Sequence, residues 1–109
     1  RGKSFDTFCP LTPFVPASSV SDPQNLDLRT WVNGTLMQSA STSTMIFSVA
    51  KLIAELSRGM TLLAGTCLLT GTPAGVGAGR DPKVFLKDGD MVEIEIAGVG
   101  RLENSVLDS

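Results

Sequence analysis

The 109 residues carry nine Lys and Arg against eleven Asp and Glu, a net charge of -2, and no histidine; 42% are hydrophobic. That is one small domain or a large piece of one, with enough apolar side chains for a core. The charge pattern lacks the clustered Lys and Arg of a nucleic-acid footprint, and no apolar run approaches the roughly 18 residues of a helical membrane span.

Without histidine, this chain alone cannot build a Ser-His-Asp triad, a His-ligated zinc site or an imidazole base. Proton chemistry must use Lys, Asp, Glu or a metal-bound water, or groups from outside the chain. Arg1–Cys9 predict a short strand and then a loop. This start has no signal-peptide core and no methionine, so the sequence is expected to continue upstream of Arg1. Pro10, Pro13, Pro16 and Pro23 predict irregular surface backbone, since proline removes amide donors and fixes φ. Phe14 and Val15 make that segment too apolar for a free linker.

Leu26–Val32 nearly alternates, Asn33-Gly34 follows, and Thr35–Gln38 resumes the extended pattern. Asn-Gly between such runs predicts a hairpin, because a type I′ turn needs positive φ at both central residues. Met45, Ile46, Val49, Leu52, Ile53 and Leu56 fall at helical spacing. Ser41–Thr44 offer caps, Arg58 suits the last turn and Gly59 the C′ position, so the spacing predicts a helix over about 44–58 with one buried face.

Thr66–Thr70 predicts a short strand buried on both faces, and glycine-rich Gly71–Gly79 follows it. Pro82–Leu86 reads as extended or looped, and Asp88-Gly89-Asp90 as a turn. Met91–Ile96 alternates cleanly, Gly98–Gly100 turns the chain, and Leu102–Leu107 completes a second hairpin. The fold class is α+β, predominantly β, with one main helix. Cys9 and Cys67 are expected to be reduced, buried thiols rather than a disulfide.

Three places have the right residue types for chemistry. Lys3, between Gly2 and Ser4 on the opening strand, suits the floor of a cleft. There its ammonium could neutralise an enolate or carboxylate, or act as a base after burial lowers its pKa; an exposed surface lysine is the plain alternative. Thr70–Gly79 places hydroxyls and amides after a strand, a composition suited to gripping an anion, though it also fits a flexible turn. It is no P-loop, because no Gly-Lys-Ser/Thr follows the glycines. Glu93 and Glu95 share a strand face like a two-carboxylate metal motif, but Val92, Ile94 and Ile96 form the natural core face, so the glutamates are expected to point to solvent.

Five blocks in order resemble the fumarylacetoacetate hydrolase family. They are Gly2–Pro10, Trp31–Gly34, Met45-Ile46-Phe47, Thr70–Gly77 and Leu86–Asp90, and together they span nearly the whole chain. The likeness is to the shorter members, including acylpyruvate hydrolases, oxaloacetate tautomerases or decarboxylases, and 2-hydroxyhepta-2,4-diene-1,7-dioate isomerases.

The resemblance implies that residues 1–109 are the C-terminal portion of a catalytic domain whose fold is a mixed β roll. It implies Mg2+ or Mn2+ held by carboxylates, and a small 2-oxo or β-diketo acid whose enolate the metal stabilises. By the same resemblance Lys3 is the catalytic lysine, Gly71 and Thr72 bind the substrate carboxylate, and Thr7 adds to the metal environment. The family's main ligands, a Glu-x-Glu pair and an Asp, precede the lysine motif and are absent here, so these residues alone are expected to be inactive. A homodimer is expected, with no nucleic-acid or membrane partner, in the cytoplasm or alternatively the mitochondrion. The other reading is a scaffold and dimerisation fragment without its own chemistry.

Overall fold

The computed structural model describes residues 5–108. Lys3 and the first part of the expected opening strand lie outside the described residues. Phe5–Cys9 forms a turn and bends, where a loop is expected after that strand. The Phe8 amide donates to the Phe5 carbonyl at 3.2 Å, and the two rings sit 5.3 Å apart.

The first hairpin forms where the alternation places it, as β1 (Asp27–Val32) and β2 (Thr35–Ser41). Asn33 (φ 50) and Gly34 (φ 75) have the two positive angles that the turn demands. β2 also carries a bulge. Thr30 pairs with Gln38 while Trp31 pairs with Leu36, so Met37 is the extra residue.

The helix α1 (Val49–Gly59) starts five residues later than the spacing predicts. Thr42–Thr44 is instead a single 3-10 turn capped by Ser41, and Met45 is extended. The working N-cap is Ser48, whose hydroxyl accepts from the Lys51 amide at 3.2 Å. Gln24, 25 residues earlier, takes the Val49 amide on its side-chain oxygen at 2.9 Å. Two of the helix's orphan donors are thereby satisfied, which fixes the start. Arg58 lies in the last turn as expected. Gly59, however, is still helical, and Met60 leaves in an extended conformation rather than through a left-handed cap.

The second hairpin is β3 (Met91–Ile96) and β4 (Gly100–Ser105), two residues earlier on its return strand than expected. The four strands make one antiparallel sheet ordered β2-β1-β3-β4. Asn33 ties its two halves. It donates to an Asp90 carboxylate oxygen at 2.9 Å, and its side-chain oxygen accepts from the Met91 amide at 2.9 Å.

The expected burial is not found. Thr66–Thr70 forms no strand and joins no ladder; Cys67 and Leu69 are exposed. Both cysteines are free, as expected, but both are exposed rather than buried. No residue of α1 is buried, and Ile53 is 44% exposed. In β3, Glu93 and Glu95 are half-buried rather than turned to solvent; Val92 and Ile96 are half-buried too, but Ile94 is exposed.

Among the described residues, little covers the sheet. A compact chain of 11.4 kDa exposes about 5,800 Å², whereas this one exposes 8524 Å². Its radius of gyration is 15.3 Å, against about 13 Å for a compact domain of this length. The strands pack against one another, while α1 lays no substantial layer over the sheet.

Candidate anion-binding site

The site is built on β2, an edge strand, by the glycine-rich loop after Thr70. Two side chains pin the loop. Gln38 donates from its amide nitrogen to the Thr72 hydroxyl oxygen at 2.9 Å and to the Pro73 carbonyl at 2.9 Å, with the Ala74 carbonyl at 3.5 Å. Arg80 donates to the Gly75 carbonyl at 3.1 Å and to the Met37 carbonyl at 2.6 Å. The bulge frees the Met37 carbonyl from the regular ladder, and Arg80 takes it.

Two glycines are fixed by contact. At Gly75 (φ +102) a Cβ would run into the Met37 carbonyl and lie 3.1 Å from the Gln38 Cγ. At Gly77 it would meet the backbone of Val84, whose amide donates to the Gly77 carbonyl at 3.0 Å. The loop therefore rests backbone to backbone on its supports.

Thr72 is exposed, and its hydroxyl oxygen already accepts from Gln38. Among the described residues its own proton has no acceptor, which suits a carboxylate oxygen. Beside it Gly71 has φ +98 and open space where a side chain would be. Glycine is required there by conformation, and the space leaves its backbone open to a ligand.

The other residues expected at the site are not joined to this cradle. Thr7 is exposed with φ 66, a left-handed conformation that strains a β-branched residue. Among the described residues, no side-chain hydrogen bond joins it to Thr72 or Gln38. Lys3 lies outside them. Glu93 is committed to an ion pair with Arg101, and Glu95 is in register with both Arg29 and Arg101. Among the described residues no three or more His, Cys, Asp or Glu side chains converge as a metal ion would need. A lone threonine hydroxyl is no substitute for such a set, so these residues do not by themselves fit Mg2+ or Mn2+.

The electrostatics at Asp90 serve the structure. The Asn33 amide, and then the Lys87 backbone amide, hold the Asp90 carboxyl below its ordinary value. Gln38 and Arg80 hold the candidate site together, and neither stood out in the sequence. Arg80, closing the glycine-rich stretch, was the available signal.

Residues 1–107 match the family model described as fumarylacetoacetate (FAA) hydrolase C-terminal. The chain belongs to the fumarylacetoacetate hydrolase family. It is 51% identical over 106 residues to oxaloacetate tautomerase YisK of Bacillus subtilis (strain 168), covering 96% of this chain and 35% of that protein. Fumarylacetoacetate hydrolase from Exiguobacterium antarcticum has the same fold, with a TM-score of 0.93 and 47% identity over 99% of this chain and 39% of that one. Maleylpyruvate hydrolase from Sphingobium sp. SYK-6, in complex with manganese(II) and pyruvate, matches with a TM-score of 0.86 and 40% identity, over 96% of this chain and 38% of that one. The chain thus spans little more than a third of these fumarylacetoacetate hydrolase relatives, and over that span the expected family fold is found.

Proposed function

We propose that this chain forms the C-terminal part of a metal-dependent hydrolase, tautomerase or isomerase, or decarboxylase acting on a small 2-oxo or β-diketo acid. Its own share of the work is the grip on the substrate carboxylate. One observation carries this reading: the Thr72 hydroxyl is held by Gln38 at the lip of a loop docked on β2, with its proton free to give. The Thr72 hydroxyl and the open Gly71 backbone bind one carboxylate end, which orients the keto carbon for reaction. Lys3, by family resemblance, supplies the positive charge that steadies the enolate or carries the proton. A bound Mg2+ or Mn2+ supplies Lewis acidity; the described residues hold no ligand set for it, and every step given to this chain runs through its own groups. The names of the relatives support the substrate class: one is an oxaloacetate tautomerase, and another is complexed with pyruvate.

The test uses the full-length protein with manganese. Thr72→Val should weaken pyruvate binding about tenfold, and Lys3→Ala should abolish most oxaloacetate turnover. Unchanged binding and turnover in both variants would rule the reading out.

A second reading, a scaffold and pairing module, has support from the roughly 2,700 Å² of surface beyond that of a compact chain. On this reading residues 1–109 alone bind no magnesium in a calorimetric titration, and tight binding would sink it.

A further inference from the structure

We infer that Gln38 is a positioning residue for substrate recognition, setting the Thr72 hydroxyl as a hydrogen-bond donor toward the substrate carboxylate. This rests on the carboxylate-binding role proposed for Thr72.

The orientation of the Gln38 amide follows from its partners. The Pro73 and Ala74 carbonyls can only accept, so the side-chain nitrogen must face them. The same nitrogen meets the Thr72 hydroxyl oxygen at 2.9 Å, so that oxygen must accept. A hydroxyl has one proton and two lone pairs. With one lone pair committed to Gln38, its rotation is restrained and its proton points away from Gln38, free for an anion.

The bulge at Met37 makes this arrangement. In a regular strand Leu36 and Gln38 would share a face. Here they pair with Trp31 and Thr30, which face opposite ways, so the bulge parts them. Arg80 then locks the bulged carbonyl at 2.6 Å. Gln38 is thus held at both its backbone and its amide.

The chemistry separates Gln38 from a mere loop support. A glutamate at this position would be an acceptor only. It would draw the Thr72 proton toward itself and set a negative charge beside the incoming carboxylate. Protonation of that glutamate would restore a donor.

The experiment is pyruvate titration and oxaloacetate kinetics on the full-length protein with manganese. Gln38→Met should weaken pyruvate binding roughly three- to tenfold, raising KM with little change in kcat. Gln38→Glu should weaken it further at pH 8 and recover part of the loss toward pH 5. Gln38→Met should cost nothing more in a Thr72→Val background. Additive losses in the double variant would make Gln38 a general loop support and overturn the inference. So would a Gln38→Glu defect that does not change with pH. If Thr72→Val itself leaves pyruvate binding intact, the carboxylate-binding role proposed for Thr72 fails and this inference falls with it. If Gln38→Met does not fold, the Gln38→Glu series, which keeps the side chain's size, decides the matter.

Discussion

Replacing Gly75 by alanine should lift the glycine-rich loop off β2. Two penalties meet at this position. The backbone is at φ +102, where a Cβ costs about 1–2 kcal/mol. The new methyl would also press on the Met37 carbonyl and stand 3.1 Å from the Gln38 Cγ. Relief requires the loop to move, which breaks Arg80's bonds to Gly75 and Met37. Losing even one such charge-assisted bond costs about 2 kcal/mol, so the local total is at least about 3–4 kcal/mol. A surface loop has little reserve against that, and it should open. Gly79→Ala is the control, because Gly79 has no atom within 4 Å of a built Cβ and no positive φ; its effect should stay within about 0.5 kcal/mol. In the full-length protein, hydrogen exchange at the Val84 amide, now bonded to Gly77 at 3.0 Å, reports the docking. Pyruvate titration with manganese reports the site. Fast exchange and weak binding are expected for Gly75→Ala only. If Gly75→Ala proves as silent as Gly79→Ala, the loop is not held by these contacts and the reasoning fails.

The Asp90 carboxyl titrates below its ordinary value of 3.8, first through the Asn33 amide and then the Lys87 backbone amide. The unfolded chain therefore binds this proton at higher pH than the folded one, so its stabilisation is full above the ordinary value and disappears as pH falls through the folded value. Thermal melts across the acid range should show Asp90→Asn flattening that decline; an unaltered decline would exclude the carboxylate as its source. Thr7 holds φ 66 at a strained cost, and Asn tolerates that region, so Thr7→Asn should raise stability by roughly 0.5–1 kcal/mol. Should turnover survive that change intact, the Thr7 hydroxyl has no part in the metal environment. Sedimentation of the full-length protein should give a dimer, and a monomer at micromolar concentration would exclude pairing.

Local chemistry was readable in the sequence wherever a few neighbouring residues decide it. Asn33-Gly34 dictates its turn because both φ angles are positive, and the alternation of Met91–Ile96 dictates a strand. The helix start was not readable, because Ser41, Ser43, Thr44 and Ser48 are all competent caps. Gln24, distant in sequence, breaks that tie. Burial of Thr66–Thr70 and of Ile94 depends on surfaces that the described residues do not supply. Thr72 and Gly71 stood out through a motif, but Gln38 did not. Its role arises from a contact across 34 residues and from a bulge that alternation cannot forecast.

The cradle and the exposed sheet face point to a division of labour. Every contact that sets Thr72 is internal to this chain: Gln38, the Met37 carbonyl, Arg80, and the backbone under Gly75 and Gly77. Nothing comparable gathers a metal ligand set among the described residues. On the proposed function, the carboxylate grip is set by these contacts, while the described residues gather no metal ligand set. Relatives named for tautomerisation and for hydrolysis match this span at 51% and 40% identity, which fits a common grip serving different chemistries. On that division, Thr72→Val should weaken binding of oxaloacetate and of an acylpyruvate by the same factor, because both present one carboxylate beside a keto group. A loss confined to one substrate would mean that Thr72 reads more than the carboxylate, and the division would fail.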